Sequence, residues 1–439
     1  MVSAGMAKIT FLGAGSTVFA KNVLGDCLAT PTLADSDIAL YDIDPVRLKD
    51  SEAMLSTLNR NGEGKARIRA FGREGRKEAL RGADFVVNAI QVGGYEPCTV
   101  TDFEVPKKYG LRQTIADTLG IGGIFRGLRT IPVVLEFARD MQEVCPEALF
   151  LNYVNPMAIV TGALLRAGGI RAVGLCHSVQ FVAEELVKGV GMQWSPDTLW
   201  RVAGINHQGW LLEISLAGKD LYPEIKARSA AGKRPDDDRV RHEIMHRFGY
   251  YVTESSEHTA EYVPWFIKAA YPGLIEEFRI PLDEYPRRCV NQVQDWASMR
   301  STLVNDRSLK HVRTREYASA MMEAVITNRP CKIGGNVMNE DLITNLPREA
   351  CVEVPCLVDR AGVQPCRVGD LPPQCAALNM TNVNVQLLTV EAALSGRRDH
   401  IYQAAMLDPH TAAELPIDRI VAMCDELIER HGDWLPKYR

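Results

Sequence analysis

A cysteine and a histidine, thirty-one residues apart, are the pair in this chain best suited to hold a metal ion. Cys176 precedes His177 and Ser178, and His207 follows Asn206. One thiolate and one imidazole form an incomplete ligand set, which binds a divalent ion and leaves positions open for the oxygens of a substrate. An isolated cysteine is more often a small buried apolar residue, and a lone histidine is more often only hydrogen-bonded. The pair alone leaves both interpretations open.

A glycine-rich loop near the N-terminus is typical of a dinucleotide site. Residues 13–16, Gly-Ala-Gly-Ser, follow a short apolar run and open a helical pattern, so the backbone can approach a pyrophosphate at the helix N-terminus. Val18 stands where the third glycine of the fingerprint is expected, and an ordinary helix-capping turn is the alternative. Asp42 ends the second predicted strand, where a carboxylate binds a ribose hydroxyl and repels a 2′-phosphate, which favours NAD over NADP. The predicted cofactor-binding residues are Gly13, Gly15, Ser16, Thr17, Asp42, Gln91 and Gly93, the last two in a loop after the fourth strand.

The elements that must position these residues alternate between strands and helices over residues 6–195. Short apolar runs predict strands at 8–12, 38–42, 68–71, 85–89, 149–153 and 172–175. Helical patterns lie between them, of which 123–144 is the longest. This alternation predicts an α/β fold with a Rossmann-type doubly wound parallel sheet.

The pattern changes beyond residue 195. Residues 200–205 and 210–216 predict antiparallel strands, and the polar residues 219–238 predict a surface excursion. Further helices are predicted at 239–249, 313–327, 382–394 and 417–431. We therefore expect a mixed α+β domain over 196–439, with Cys176 close to the boundary, where sites commonly lie.

The composition is that of an ordinary globular protein. Of 439 residues, 46% are hydrophobic and 24% are charged, and the net charge is −5, which favours neither nucleic acid nor a membrane as partner. No apolar run approaches the roughly 20 residues that span a bilayer. The first six residues lack the apolar core of a signal peptide, so a cytoplasmic protein with reduced cysteines is expected.

An ordered series of motifs along nearly the whole chain resembles glycoside hydrolase family 4, the NAD- and metal-dependent glycosidases. That family is similar to the lactate and malate dehydrogenases in its fold. The matching motifs are residues 13–16, 41–44, 90–94, 117–126, 152–156, 176–179 and 204–207, with shorter matches at 336–337, 345–347 and 407–409.

The resemblance implies a metal site and a substrate class. It assigns Mn²⁺, or a similar ion, to Cys176 and His207, and it places Asn155 beside the metal and the sugar. Relatives that act on 6-phosphorylated glucosides tend to have Asp or Asn after the cysteine. His177 instead resembles the α-galactosidase branch, which uses unphosphorylated sugars. An α-galactoside is therefore expected, with an α-glucoside or an α-glucuronide as alternatives, and the enzyme is expected to be a homodimer or a homotetramer.

Most glycosidases use a pair of carboxylates to cleave the glycosidic bond, and the resemblance implies a different reaction. NAD⁺ oxidises C3 of the sugar, a base removes the C2 proton, and the aglycone leaves C1. Water then adds and the hydride returns. His177 is predicted to protonate the leaving oxygen, because it occupies the place of the acid in the phosphoglycosidases.

The C2 base is predicted from the stretch at residues 255–264. Relatives use a Tyr or an Asp, so Tyr262 is favoured, with Glu261 and His258 as alternatives. A phenol is a weak base near neutral pH unless a cation lowers its pKa, and Arg287 or Arg288 is expected to supply that cation. The predicted substrate-binding residues are Asn155, Asp117, Arg287 and Arg288; Asp117 and Arg126 also fit contacts to the nicotinamide or a structural turn.

Other functions compete with this prediction. Residues 242–246 match the His-Glu-x-x-His pattern of zinc proteases, but a polar helix face is the simpler interpretation. A 2-hydroxy-acid dehydrogenase of the lactate or malate type would share the first half of the chain and would need no metal. An NAD-sensing protein without catalysis is a third class, which the intact Cys176–His207 pair disfavours.

Overall fold

Six parallel strands form the first part of one long sheet. The computed structural model describes residues 6–439; residues 1–5, on which the prediction of no export signal partly rests, lie outside it. The strand order is β3-β2-β1-β4-β5-β6, the dinucleotide-binding order, which confirms the predicted Rossmann-type fold. The middle strands are buried on both faces, as expected of a parallel sheet covered by helices. These strands are β1 (Lys8–Leu12), β2 (Asp37–Tyr41), β3 (Arg67–Phe71), β4 (Phe85–Asn88), β5 (Leu149–Asn152) and β6 (Arg171–Gly174).

Antiparallel strands from the second half of the chain extend the same sheet. Beyond β6 the order is β11-β12-β7-β8-β10, with β13 paired to β12 and β9 paired to β8. The predicted antiparallel pair is confirmed as β7 and β8. The sheet is continuous across the predicted domain boundary at 195/196, and that division stays a prediction. The strands are β7 (Leu199–Ile205), β8 (Gln208–Leu216), β9 (Lys219–Asp220), β10 (Tyr251–Val252), β11 (Cys331–Met338), β12 (Cys351–Asp359) and β13 (Gly362–Pro365).

Helices cover both faces of the parallel strands and form a layer of their own at the C-terminus. In the first half they are α1 (Val18–Leu28), α2 (Pro45–Asn61), α3 (Arg76–Leu80), α4 (Val100–Lys108), α5 (Gly120–Val144), α6 (Met157–Ala163) and α7 (Ser178–Gly189). In the second half they are α8 (Tyr222–Ala230), α9 (Arg239–Phe248), α10 (Ser256–Tyr262), α11 (Gly273–Glu277), α12 (Glu284–Asn305), α13 (Ala318–Thr327), α14 (Pro373–Ser395), α15 (Asp399–Leu407), α16 (Pro409–Glu414) and α17 (Ile417–His431).

Two predictions about these helices are wrong. The surface excursion predicted at 219–238 contains helix α8, which buries Tyr222 and Ile225 against the sheet, so a mostly polar segment still has an apolar face. The helix predicted at 313–327 begins only at Ala318, because the residues before it bond instead to side chains elsewhere in the fold. Among the described residues, no helix is long and apolar enough to cross a membrane.

A buried ion pair fixes helices of the helix layer to the loop that follows β4. Arg129 on α5 donates two hydrogen bonds to Asp102 on α4, at 3.1 and 2.6 Å. His431, at the end of α17, lies 2.9 Å from the same carboxylate, and Arg129 Nε donates to the carbonyl of Val92. Arg129 and Asp102 are almost fully buried. The pair therefore joins three helices to the loop that carries Gln91 and Gly93.

We predict that Asp102→Ala lowers the free energy of unfolding by about 3–5 kcal/mol, because it leaves the Arg129 charge buried without a partner. Urea unfolding followed by circular dichroism measures this loss. Asp399→Ala, which removes an exposed carboxylate 3.5 Å from Arg397, is the control and should change stability little. Equal effects of the two substitutions would contradict the prediction.

Candidate active site

A cleft of about 480 Å³ opens at the carboxyl edge of the parallel strands. Cys176 follows β6, His207 lies in the tight turn between β7 and β8, and Glu254 follows β10. All three line the cleft, whose volume is in the range of small-molecule sites. The edge at which parallel strands end is the usual place for ligands in such sheets.

The three side chains form a cluster suited to a metal ion. A ligand atom from each of Cys176, His207 and Glu254 lies within 4.8 Å of the others, a geometry found for no other such group in the described residues. His207 Nε2 is 3.3 Å and Cys176 Sγ is 4.0 Å from Glu254 Oε2. The sequence interpretation missed Glu254, which lies one residue before the stretch singled out for the C2 base. Glu254 has a φ of +68° and His207 a φ of +60°, so both backbones adopt a left-handed conformation that points the side chains at one place.

The protonation of the cluster fits a cation. Burial raises the pKa of the Cys176 thiol well above its usual value, and Glu353 and Glu254 raise it further. Burial lowers the pKa of His207, so its imidazole is neutral near neutral pH. Burial alone would raise the pKa of Glu254, but the positive charges that His207, His258 and Arg241 carry at the acidic pH where Glu254 titrates lower it to about 2. A divalent ion would provide the charge that the thiol needs in order to ionise.

Tyr262 contacts the histidine of this cluster. Its hydroxyl lies 3.1 Å from His207 Nδ1, which leaves Nε2 facing Glu254. Tyr262 is fully buried and does not line the cleft. Burial raises the pKa of Tyr262 well above its usual value, and nearby carboxylates raise it further. A hydrogen bond to the second nitrogen of a metal-binding histidine is a common way to fix the ring.

The two alternatives for the C2 base lie in different environments. His258 lines the cleft, with Nδ1 2.7 Å from Ser255 Oγ and Nε2 3.9 Å from Asp117 Oδ1. Glu261 is buried and accepts hydrogen bonds from the backbone N–H groups of residues 114–116. Glu261 thus holds the loop that leads into Asp117, while His258 faces the cleft.

Polar groups joined by hydrogen bonds form one wall of the cleft. Asn155 Nδ2 donates to Asp117 Oδ2 at 3.2 Å, and Asn155 Oδ1 is buried without a hydrogen-bond partner among the described residues. Arg126 donates to the Asn155 carbonyl and to the Tyr285 hydroxyl, each at 3.2 Å. Tyr285 lines the cleft and was not identified from the sequence.

The two predicted arginines lie apart from Tyr262. Arg287 donates to the carbonyl of Leu282 and to Glu284, and it does not line the cleft. Arg288 lines the cleft and pairs with Glu257 and Glu284. Neither arginine is bonded to Tyr262 in the structure; the cleft-lining tyrosine hydroxyl that accepts a hydrogen bond from an arginine is that of Tyr285, and the donor is Arg126.

The glycine loop has the close backbone approaches expected of a dinucleotide site. Gly13 has a φ of +85°, and a Cβ there would lie 2.6 Å from the Ala89 carbonyl oxygen. A Cβ at Gly15 would lie 2.7 Å from Asp42 Oδ2, which accepts the Gly15 N–H at 2.6 Å. Thr17, at the start of α1, makes no side-chain capping bond, unlike an ordinary capping turn.

The remaining predicted cofactor-binding residues are Ser16 in the glycine loop and Gln91 and Gly93 in the loop after β4. The buried hydroxyl of Ser16 has no partner among the described residues, so it is available to a ligand. Gly93 has a φ of +79°, and a Cβ there would lie 2.2 Å from Cys98 Sγ. Gln91 is exposed beside it. The residues present therefore fit a pyrophosphate and a ribose at this edge of the sheet.

The predicted acid, His177, is held by a carboxylate that the sequence interpretation missed. His177 lines the cleft and its Nε2 lies 2.7 and 2.8 Å from the two carboxylate oxygens of Glu316. Burial opposes protonation of His177, but the hydrogen bond that its ring donates to the Glu316 carboxylate raises its pKa overall.

The His-Glu-x-x-His stretch on α9 forms a structural contact. His242 Nδ1 and His246 Nε2 lie 2.8 and 3.0 Å from the same hydroxyl, that of Ser229. Glu243 pairs with Arg247 on the same helix. His242 is buried, so the simpler interpretation of a solvated helix face is wrong for it. The two imidazoles fasten α9 to α8.

Proteins of known activity are similar to this chain over its whole length. The alpha-galactosidase of Bacillus subtilis (strain 168) is 58% identical over 435 residues, which cover 99% of this chain and 100% of that protein. The alpha-galactosidase of Rhizobium meliloti (strain 1021) is 35% identical, covering 98% of this chain and 89% of that protein. A crystal structure of a 6-phospho-alpha-glucosidase from gut microorganisms, in complex with NAD and Mn²⁺, matches with a TM-score of 0.79 at 21% identity, covering 99% of this chain and 100% of that chain.

Two family profiles match the chain in succession. The profile described as "Family 4 glycosyl hydrolase" matches residues 8–192, and the one described as "Family 4 glycosyl hydrolase C-terminal domain" matches residues 202–411. The resemblance inferred from the motifs is confirmed. The chain belongs to the family 4 glycosyl hydrolases.

Proposed function

We propose that this protein is an NAD- and Mn²⁺-dependent α-galactosidase that acts on unphosphorylated α-galactosides. The observation that carries the proposal is the Cys176–His207–Glu254 cluster, which lies in the cleft at the same sheet edge as the glycine loop. The 58% identity to an alpha-galactosidase over 99% of the chain supports the sugar. We also propose that it acts in the cytoplasm as a homodimer or a homotetramer, as the family resemblance implies.

The residues of the cleft divide into cofactor, metal and sugar contacts. The loop at residues 13–17, where the glycines let a ligand approach the backbone closely, would hold the pyrophosphate, and Asp42 would accept the ribose hydroxyls. Cys176, His207 and Glu254 would hold the ion. A bound nicotinamide supplies reversible oxidation at C3 and a bound divalent ion supplies Lewis acidity there, which makes the C2 proton removable.

Asn155 and Asp117 orient the sugar in this proposal. The unpartnered Asn155 Oδ1 accepts a sugar hydroxyl, because a buried amide oxygen without a partner is costly. Asp117 is fixed by bonds from Asn155 and Thr118, so its carboxylate keeps one orientation. Arg126 Nε donates a hydrogen bond to the Asn155 carbonyl and so fixes the backbone of Asn155.

Two histidines move protons in the proposed reaction. His258 takes the C2 proton, because it is the cleft-facing group among those considered and an imidazole accepts a proton near neutral pH. Tyr262, the base favoured from the sequence, orients His207 instead. His177 gives a proton to the glycosidic oxygen as the C1–O bond breaks.

The charges of the cleft favour an unphosphorylated sugar. Both arginines that line it are already paired, Arg241 with Asp238 and Arg288 with Glu257. Asp117, Glu185 and Glu254 line the same cleft. A phosphate dianion would have to displace carboxylates from the arginines, whereas a neutral sugar needs only hydrogen bonds.

We predict that the purified protein hydrolyses para-nitrophenyl α-galactoside only with NAD⁺ and Mn²⁺ present. Chelation or removal of NAD⁺ should lower the rate by roughly 100-fold or more, because oxidation at C3 and Lewis acidity are both lost. The panel includes the α-glucoside, the α-glucuronide and a 6-phosphorylated galactoside, with NADH absorbance recorded throughout. Net NADH from malate or lactate without hydrolysis would show a dehydrogenase instead.

We predict that Glu254→Gln raises the Kd for Mn²⁺ by roughly 10–100-fold, because the neutral amide is a weaker ligand for a hard cation. Electron paramagnetic resonance of free Mn²⁺ measures this affinity without turnover. Glu185→Gln, in the same cleft but outside the cluster, is the matched control and should leave the Kd unchanged. An unaltered Kd in Glu254→Gln would remove Glu254 from the metal site.

We predict that His258→Gln lowers kcat by roughly 10²–10⁴-fold and abolishes the incorporation of solvent deuterium at C2 of the product, because the general base is lost. Tyr262→Phe should chiefly weaken Mn²⁺ binding, since it removes the hydroxyl that orients His207. Loss of C2 exchange in Tyr262→Phe with normal Mn²⁺ affinity would instead identify Tyr262 as the base.

A further inference from the structure

His177 shares its hydrogen bond with a residue from a distant part of the chain. Glu316 lies in the α12–α13 connection, residues 306–317, and its two carboxylate oxygens lie 2.8 and 2.7 Å from His177 Nε2. The Glu316 side chain is 10% exposed and that of His177 is 48% exposed. The carboxylate is therefore the fixed partner, and the imidazole reaches from it into the cleft.

The α12–α13 connection is anchored on α1, the helix that opens at the glycine loop. Asp26 on α1 is fully buried and accepts hydrogen bonds from the backbone N–H and the hydroxyl of Thr314. The His311 ring lies 2.6 Å from the same carboxylate. Thr314 Oγ1 in turn accepts the Glu316 N–H at 3.1 Å. Because the buried Asp26 binds two points of the connection, the backbone of Glu316 has little freedom.

Gly25 makes this attachment possible. A Cβ at Gly25 would lie 2.4 Å from His311 Nδ1, so any side chain there would push the connection off α1. This buried part of the α1 surface is thus shaped for the connection.

The other end of the connection bonds to the residues around the metal site. The Tyr317 hydroxyl donates to the Cys176 carbonyl at 3.0 Å, and the Arg315 guanidinium lies 4.9 Å from the centre of the Phe181 ring. Glu316 thus lies between two residues that are each attached to the 176–181 segment. The carboxylate is held on both sides, which a chance surface ion pair would not be.

We propose that Glu316 is a positioning residue that sets the orientation of His177 for protonation of the leaving group. This inference rests on the proposed function. By bonding Nε2, Glu316 leaves Nδ1 as the nitrogen available to the substrate, since Nδ1 makes no hydrogen bond with the described residues. Carboxylates that fix one nitrogen of a catalytic imidazole act in this way in other hydrolases. Asp26, through Thr314, holds Glu316 in place.

The protons and electron pairs of the proposed elimination balance. The C2–H bond breaks, its proton goes to His258, and its electron pair forms the C1–C2 double bond. The C1–O bond breaks and its electron pair stays on the aglycone oxygen, which takes the proton from His177 Nδ1. His177 is left neutral, with its Nε2–H still donated to Glu316.

The test compares two leaving groups in Glu316→Gln. A poor alkyl leaving group needs protonation, whereas para-nitrophenolate leaves without it. We expect kcat/KM for methyl α-galactoside to fall by roughly 10²-fold and that for para-nitrophenyl α-galactoside by less than about 3-fold. Glu316→Asp should restore part of the lost rate. Affinities for NAD⁺ and Mn²⁺ and the Tm are measured on the same preparations and should match the wild type.

Glu184→Gln is the matched control, because Glu184 lies on α7 in an exposed pair with Lys188 and should change neither substrate. Thr314→Val, which loosens the anchor and leaves both carboxylates in place, should reproduce the leaving-group dependence in milder form. An equal loss on both substrates, or no loss on either, would overturn the positioning role. Failure of the wild type to hydrolyse either galactoside would instead disprove the proposed function.

Discussion

The fold depends on bringing a thiol, an imidazole and a carboxylate together where water is largely excluded. Cys176, His207 and Glu254 come from three separate connections of the sheet, and their ligand atoms meet within 4.8 Å. Without a cation this arrangement is unfavourable, since burial keeps the thiol protonated while the carboxylate is ionised. The surrounding structure must therefore hold the three connections in place before the ion arrives, and the left-handed backbones of His207 and Glu254 persist because of that support.

The support comes from a buried polar network behind the β7–β8 turn. Asn379 on α14 donates to the carbonyl and the side chain of Gln208, the residue after His207. Glu353 on β12 accepts a hydrogen bond from Asn336, and burial raises the pKa of Glu353 to about 8. Asn382 donates to the carbonyl of Tyr262. Helix α14 thus fixes the turn that carries His207 together with Tyr262 behind it, which ties the C-terminal half of the chain to the candidate site.

The elements that local sequence patterns determine were predicted correctly. The site residues that come together only through contacts between distant parts of the chain were missed. The six parallel strands follow from apolar runs, and the glycine loop follows from residue types that only close backbone approach requires. Glu254 and Glu316 were missed because the partners that reveal their roles, His207 and His177, lie 47 and 139 positions away in the chain. Tyr262 was predicted to lie near the candidate site, and it does. Sequence spacing could not show that its buried hydroxyl faces His207 while His258 faces the cleft. Helix α8 was missed because Tyr222 and Ile225 are the only apolar side chains that it buries within a polar stretch.

The cations that line the cleft are already paired with carboxylates of this chain, and this pairing bears on which sugar the proposed function can accept. Here Arg241 is buried against Asp238 and lies over the Tyr251 ring, which fixes it as part of the wall. Arg288 pairs with Glu257 on α10 and with Glu284 on its own helix, α12. A ligand that offers hydroxyls can use Asn155 and Asp117 without disturbing either pair, whereas a dianion would have to break one and face the acids of the cleft. The proposed preference for a neutral sugar thus rests on ion pairs outside the Cys176–His207–Glu254 cluster, and His177, bonded to Glu316, adds no free cation that would reverse it.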